Sequence, residues 1–398
     1  MTDIVLCAVL RTPVARFTGA LREVPPETLA AGVIRELISR TSVDPEVIDD
    51  VVLGQAGPNG EAPAIGRIAA LDAGLGIGVP GQQVDRRCGS GLQAVIAASG
   101  QIATGGAEIA IAGGVESMSR SEFYTLTPRW EKDAPPGESL DRLARARVTA
   151  GGHRHRVPGG MIETAENLRR RYGISREAQD DLAFASHRKA VAAQREGRFS
   201  AEIVPVATGG GLVDTDEHPR PNVDRAKLGT LTPLRRAVDP EATVTAGNAS
   251  GQNDGAAAAL VASTSAAQRR GLRPVARLVS WAVAGVAPEE MGIGPVPATA
   301  SALARAGLTL TDMDVIELNE AFAAQTLAVL AEWGLPVDDP RLNPNGSGIS
   351  LGHPVGATGA RILATGVCEL QRREGRYLLE TMCIGGGQGI AAIFERLD

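Results

Sequence analysis

Five residues in this 398-residue chain carry side chains or backbone suited to covalent chemistry: Cys88, Asn319, His353, Cys383 and Gly385. Cys88 stands in a glycine-containing bend, Asp85-Arg86-Arg87-Cys88-Gly89-Ser90-Gly91, ahead of a small-residue helix through Val95, Ile96, Ala97 and Ala98. At a helix amino end, unpaired N–H groups and the helix dipole favour negative charge. A thiol placed there is expected to reach its nucleophilic thiolate form more easily. Taken alone, a cysteine is more often an inert core residue. The neighbouring glycines favour a site, because they let backbone come close to a ligand.

The positions of these residues repeat. Asp314-Val315-Ile316-Glu317-Leu318-Asn319 resembles Asp49-Asp50-Val51-Val52-Leu53-Gly54, and both follow a helix and a short turn. The spacing of 265 residues that relates Gly54 to Asn319 also relates Cys88 to His353. His353 lies in a similar turn, Gly352-His353-Pro354-Val355-Gly356-Ala357-Thr358-Gly359, again followed by a helix. Cys383-Ile384-Gly385-Gly386-Gly387 then corresponds to Ala112-Gly113-Gly114. The pattern predicts two copies of one α/β unit, packed sheet to sheet, with corresponding turns at one edge. Cys88 and His353 are then neighbours by pseudo-symmetry.

The elements that position these turns alternate strand and helix, the mark of a layered α/β fold. Strands are expected at 4–10, 49–54, 84–88, 109–114 and 275–283, and helices at 27–39, 65–74, 90–104, 164–172 and 175–196. The alanine run from Asp254 to Ser263 is expected to be a helix. Prolines, charges and glycines dominate from 119 to about 160, and the chain is loop-rich again from 197 to about 239. The expected division is 1–118 plus 242–270 as an amino-terminal half, 119–241 as an inserted loop domain, and 271–398 as a carboxy-terminal half.

Composition supports a compact α/β protein, with 48 glycines, 43% hydrophobic residues and only 3% aromatic ones. A net charge of −6 argues against general nucleic-acid binding. No apolar run reaches membrane-spanning length. The first residues read as a strand and lack the features of a signal peptide. Four dispersed cysteines show no zinc-type or redox spacing, which fits a reducing cytoplasm. The charge is uneven: residues 119–250 hold 21 basic and 18 acidic side chains, within an otherwise acidic chain. Such an excess fits an anionic ligand lying across the protein.

Five motifs in order carry a resemblance over almost the full length. They are Cys88-Gly89-Ser90-Gly91, Gly247-Asn248-Ala249-Ser250-Gly251, Asn319-Glu320-Ala321-Phe322-Ala323, Gly352-His353-Pro354 with Gly356 and Gly359, and Cys383-Ile384-Gly385-Gly386-Gly387-Gln388-Gly389. Together they resemble the thiolases, which make or cleave 3-ketoacyl-CoA. The resemblance implies a thiolase-like fold and a ping-pong mechanism with no metal or redox cofactor. It implies that Cys88 is acylated, that His353 takes its proton, and that Cys383 is acid and base at the α carbon. His353 and a water held by Asn319 would stabilise the enolate. The N–H groups of Cys88 and Gly385 would stabilise the tetrahedral adduct.

For CoA, the resemblance points to Ala249 and Ser250 along the pantetheine arm, Ala321 and Phe322 along its tunnel, and Arg220 at the nucleotide end. Met161 belongs to the acyl-pocket wall. Gly160 stands where short-chain biosynthetic members usually have histidine, and Asp85 where asparagine is frequent. The expected activity is acetyl-CoA C-acetyltransferase, acting on acetyl-CoA, acetoacetyl-CoA and CoA as a homodimer or homotetramer. The alternatives are a degradative thiolase of longer or branched 3-ketoacyl-CoA and a non-catalytic acyl-CoA-binding relative. A decarboxylating condensing enzyme on the same fold usually pairs its cysteine with two histidines, and Cys383 argues against it.

Overall fold

The computed structural model describes residues 3–130, 135 and 137–397. The long strands of its main sheet are β1 (Ile4–Arg11), β2 (Asp50–Gly54), β3 (Gly81–Val84), β4 (Ile109–Ser117), β5 (Asn253–Ser263), β6 (Ala276–Gly285), β7 (Val315–Leu318), β8 (Tyr377–Ile384) and β9 (Gln388–Arg396). They lie side by side in the order β7-β8-β9-β6-β1-β5-β4-β2-β3, and the short strand Ala15–Arg16 pairs with β5. β2 runs parallel to β3 and β4, and β7 runs parallel to β8. β1 joins the halves, antiparallel to β5 on one side and to β6 on the other.

The longer helices are α1 (Pro26–Thr41), α2 (Ile65–Asp72), α3 (Ser90–Ala103), α4 (Arg142–Thr149), α5 (Gly160–Tyr172), α6 (Arg176–Arg195), α7 (Pro295–Ala306), α8 (Ala323–Trp333) and α9 (Thr358–Arg372). Leu29, Val33 and Ile34 of α1 and Ile65 and Ala69 of α2 cover one face of the amino-terminal strands. Ala298 and Ala302 of α7 and Val329 and Leu330 of α8 cover one face of the carboxy-terminal strands. Between lies a third core. There Leu92, Val95 and Ile96 of α3 and Ile362, Leu363 and Val367 of α9 meet Val52 and Val261 from one half and Met382 and Phe394 from the other.

The halves therefore do not pack sheet to sheet as expected. They pack across two helices buried on nearly all sides, α3 through small and apolar residues and α9 with Arg361 and Glu369 buried beside its apolar ones. A Cβ at Gly91 would lie 2.8 Å from the Ala360 nitrogen, and one at Gly359 would lie 2.3 Å from the Leu92 nitrogen. The glycines set how near the helices come, and each large apolar side chain between them contributes roughly 1.5–3 kcal/mol.

Three further expectations change. The alanine run is β5, a strand buried along its whole length, and not a helix. Alanine has high helix propensity, but a run of small residues also suits a strand squeezed on both faces. β3 ends at Val84, four residues before Cys88, because Asp85 to Gly89 are drawn into a tight turn. α5 begins at Gly160, earlier than its first strong helical residues suggested.

Candidate active site

The Cys88 turn is strained and held from two sides. Arg87 has φ 48°, a left-handed conformation that is uncommon without glycine. Asp85 Oδ1 accepts the Arg87 N–H at 2.7 Å. Ser90 Oγ donates to the Arg87 carbonyl at 2.7 Å and accepts the Arg86 N–H at 2.8 Å. Asp85 thus closes the turn, which gives this unusual residue a structural task. The Cys88 thiol faces a cavity but is enclosed by protein. Burial raises its pKa above the ordinary thiol value, opposed by the Gly385 N–H, the Arg87 charge and its own N–H. Burial outweighs the helix end, so the resting group is a thiol and a base must take its proton.

His353 supplies a matching nitrogen. The backbones of the His353 and Cys88 turns meet, with the Gly356 carbonyl 3.0 Å from where a Gly91 Cβ would be. His353 is buried, and its N–H donates to Asn253 Oδ1 at 2.8 Å. Its Nδ1 lies 2.6 Å from Thr358 Oγ1, and that hydroxyl donates its one proton to the Pro354 carbonyl at 2.9 Å. Nδ1 therefore carries the hydrogen and donates to Thr358. Nε2 is left bare, buried and without a hydrogen-bond partner among the described residues. Burial, with a smaller contribution from the Arg361 charge, lowers the imidazole pKa to about 3, so the ring is neutral at rest.

Cys383 ends β8 beside this pair. Burial pushes its thiol far above the ordinary range, and the nearby Cys88 pushes it further. It packs with Met291 and Ala321, and Met161 and Phe322 border the same cluster. Gly385, two residues on, lines the cavity with Cys88, and its N–H favours the Cys88 thiolate. A Cβ there would lie 3.3 Å from Met161 Sδ and 3.4 Å from Arg87 Cδ. Asn319 is wholly buried, and both polar atoms of its amide lack hydrogen-bond partners among the described residues. The Ser250 N–H donates to the Ala321 carbonyl at 2.9 Å, and Ala249 bridges Phe322. This backbone pairing ties two motifs that are more than seventy residues apart in sequence.

A cavity of about 120 Å³ opens in front of Cys88, lined by Met161 and Gly385 and, from α4, by Leu143 and Arg147. Arg220 is not at this cavity. It lines a second one, of about 400 Å³, with Arg16 and Lys227.

Sequence reasoning did not single out Thr358, Asn253 or Glu116. Glu116 Oε2 accepts the Ala56 and Gly356 N–H groups at 3.0 and 2.9 Å, and Oε1 accepts that of Gly57 at 3.2 Å. It fastens the His353 turn to the end of β2, and burial raises its pKa to about 7. Thr358, five residues after the histidine on the turn entering α9, was the one with a readable signal.

Residues 4–265 match the thiolase amino-terminal domain, and residues 272–396 match the thiolase carboxy-terminal domain. The chain belongs to the thiolase family. It is 48% identical to beta-ketothiolase BktB of Cupriavidus necator, over 99% of both chains. It is 47% identical to the 3-oxoadipyl-CoA/3-oxo-5,6-dehydrosuberyl-CoA thiolase of Escherichia coli, over the full length of both. The crystal structure of the Bacillus anthracis acetyl-CoA acetyltransferase superposes with a TM-score of 0.93 at 41% identity, covering 100% of this chain and 99% of that one. The protein is accordingly an acyltransferase of thiolase type. Among the described residues, no helix is long and apolar enough to cross a membrane.

Proposed function

We propose that the protein catalyses the reversible thiolysis of 3-ketoacyl-CoA by CoA, with acetoacetyl-CoA the smallest substrate, through an acyl-Cys88 intermediate. The observation that carries this reading is the pair of thiols, with Cys383 buried beside Cys88 and Gly385 lining the same cavity as Cys88. His353 Nε2 takes the Cys88 proton, and the sulfur attacks the keto carbon. The adduct oxygen receives the N–H groups of Cys88 and Gly385, donors already in place before charge develops. As the adduct collapses, the C2–C3 bond breaks and its electrons move to C2. Cys383 protonates C2, and acetyl-CoA leaves. The thiol of a second CoA then gives its proton to the Cys383 thiolate and attacks the acyl-Cys88 thioester, and Cys88 departs and recovers its proton from His353. Condensation runs these steps backwards, with Cys383 as the base.

The protonated His353 Nε2 and a water on Asn319 hold the enolate oxygen, which gives the unpartnered Asn319 amide a task. Ala249, Ser250, Ala321 and Phe322 flank the pantetheine arm. Arg220, with Arg16 and Lys227, takes the phosphates at the second cavity, within the 119–241 segment apart from Arg16. The chemistry uses no metal or redox cofactor. The four cysteines, unpaired in this structure, fit a reducing cytoplasm. A homodimer or homotetramer is supported by β3, which ends the sheet with one side unpaired.

The test is mass spectrometry of the intact protein with acetyl-CoA, beside thiolysis of acetoacetyl-CoA. Wild type gains an acetyl group on Cys88 and turns over. Cys88→Ala does neither. Cys383→Ala becomes acetylated but neither condenses nor cleaves. Turnover persisting in Cys88→Ala would falsify the mechanism, and an acetylation-free wild type would favour a binding protein.

A further inference from the structure

His353 rests on an amide, and that amide rests on a second imidazole away from the cavity. Asn253 Oδ1, at the start of β5, accepts the His353 N–H at 2.8 Å. Asn253 Nδ2 gives one hydrogen to the Ala15 carbonyl at 2.9 Å and the other to His218 Nδ1 at 3.2 Å. An amide nitrogen only donates, so His218 Nδ1 is the acceptor and the ring hydrogen sits on Nε2. All three side chains are buried. Burial, and then the Arg220 charge, lower the His218 pKa to about 4, so the ring is neutral and free to accept.

Glycines make room for both supporting groups. Gly352, directly before His353, has φ +94°, and a Cβ there would lie 2.6 Å from Asn253 Cγ. A Cβ on Gly251 would overlap His218 at Cε1. The segment that carries His218 is fixed on both flanks. On one side Asp216 accepts Arg11 Nη1 and Nη2 at 2.6 and 2.9 Å and the Val14 N–H at 2.8 Å. On the other the Arg220 N–H donates to His187 Nδ1 on α6, at 3.2 Å.

We propose that His218 is a positioning residue for the general base. It fixes the Asn253 amide, whose Oδ1 seats the His353 backbone so that Nε2 meets the Cys88 thiol. This rests on the thiolase reading and adds a residue that touches neither substrate nor reacting atoms. Thr358 sets which nitrogen of His353 is free, and His218 with Asn253 sets where the ring stands. Without the imidazole, one Asn253 hydrogen is buried with no acceptor, and the amide turns or shifts to find one. The His353 backbone then loses its seat.

The test follows acetylation of Cys88 by acetyl-CoA in the purified full chain, by intact mass, at pH 7 and pH 9. His218→Leu removes the acceptor, and His218→Asn places an amide oxygen where Nδ1 stood. At pH 7, His218→Leu should be acetylated about tenfold more slowly than wild type or worse, part of the ~10²–10⁴ that a positioned base contributes. In thiolysis of acetoacetyl-CoA its kcat should fall likewise with KM for CoA barely moved, since His187 still holds Arg220. At pH 9 the deficit should narrow, because hydroxide takes the Cys88 proton that a displaced imidazole misses and the thiolate fraction grows about tenfold per pH unit. A merely structural defect would not be repaired by pH. His218→Asn should recover most of the rate at pH 7. Should His218→Leu not fold, Gly251→Ala displaces the ring without changing it and carries the same comparison. Wild-type rates at pH 7, a deficit equal at both pH values, or no recovery in His218→Asn overturns the proposal and leaves the thiolase reading intact. A wild type that is never acetylated overturns both.

Discussion

A hydroxyl decides which nitrogen of His353 is free. Thr358 Oγ1 gives its proton to the Pro354 carbonyl and so can only accept from Nδ1. Removing it in Thr358→Val leaves the imidazole free to turn or to change tautomer. The expected loss in kcat is about tenfold to hundredfold, part of the ~10²–10⁴ that a positioned base contributes. Thr358→Ser should recover most of it, and KM should barely change, whereas a merely structural defect would not be rescued by the hydroxyl alone. The raised Cys88 pKa has its own readout. Alkylation of Cys88 by iodoacetamide should climb steadily from about pH 6 to about pH 9, since the thiolate fraction grows below the pKa. A plateau near neutrality would mean a thiolate formed in advance. At this scale Cys88, His353 and Cys383 stood out in the sequence, because their residue types are scarce and the turns of Cys88 and His353 share one spacing. Glu116 and Asn253 were not, because a buried carboxylate or amide that serves backbone N–H groups leaves no pattern in the chain.

Helices α3 and α9 touch through backbone where most helices touch through side chains. Gly359→Ala places a methyl group 2.3 Å from the Leu92 nitrogen, against an atom that cannot swing away. We expect a cost of roughly 1–3 kcal/mol, seen as a lower urea midpoint, as overpacked cores generally show. Thiolysis should fall with it, since the same helices lead out of the Cys88 and His353 turns. Most elements were legible from periodicity. The exception, β5, is instructive. Ala256 to Ala259 favour a helix locally, but the strand must lie between β1 and β4, and a Cβ on Gly113 would already meet the Ala257 carbonyl oxygen at 2.1 Å. Tertiary crowding selects small residues there, and local propensity cannot distinguish that from a helix.

Across the whole molecule, buried histidines make the fold sensitive to acid. His187 and His218 stack at 6.4 Å between ring centroids, and burial holds their pKa values at about 3 and about 4. Below the ordinary value of 6.5 the unfolded chain takes up protons that the native rings refuse. Stability carried by these rings is therefore full above about pH 6.5 and lost progressively as pH falls towards their folded values. In His187→Gln, which retains an acceptor for the Arg220 N–H, the melting temperature should decline less steeply between about pH 6.5 and about pH 4. An unchanged slope would remove His187 from the account. The duplicated architecture was legible as a spacing, but the way the copies meet was not, because the central helices bury faces that belong to both. β1 is the seam, hydrogen-bonded to strands of each half. The chain is thus built as two parts that share one core. Severed in the turn at Gly271 and Leu272, each piece made alone would expose the face that α3 and α9 fill, and should precipitate. Made together, they should reassociate into a soluble and active pair. Catalytic turnover would then serve as a reporter of complementation, since no fragment holds both Cys88 and Cys383.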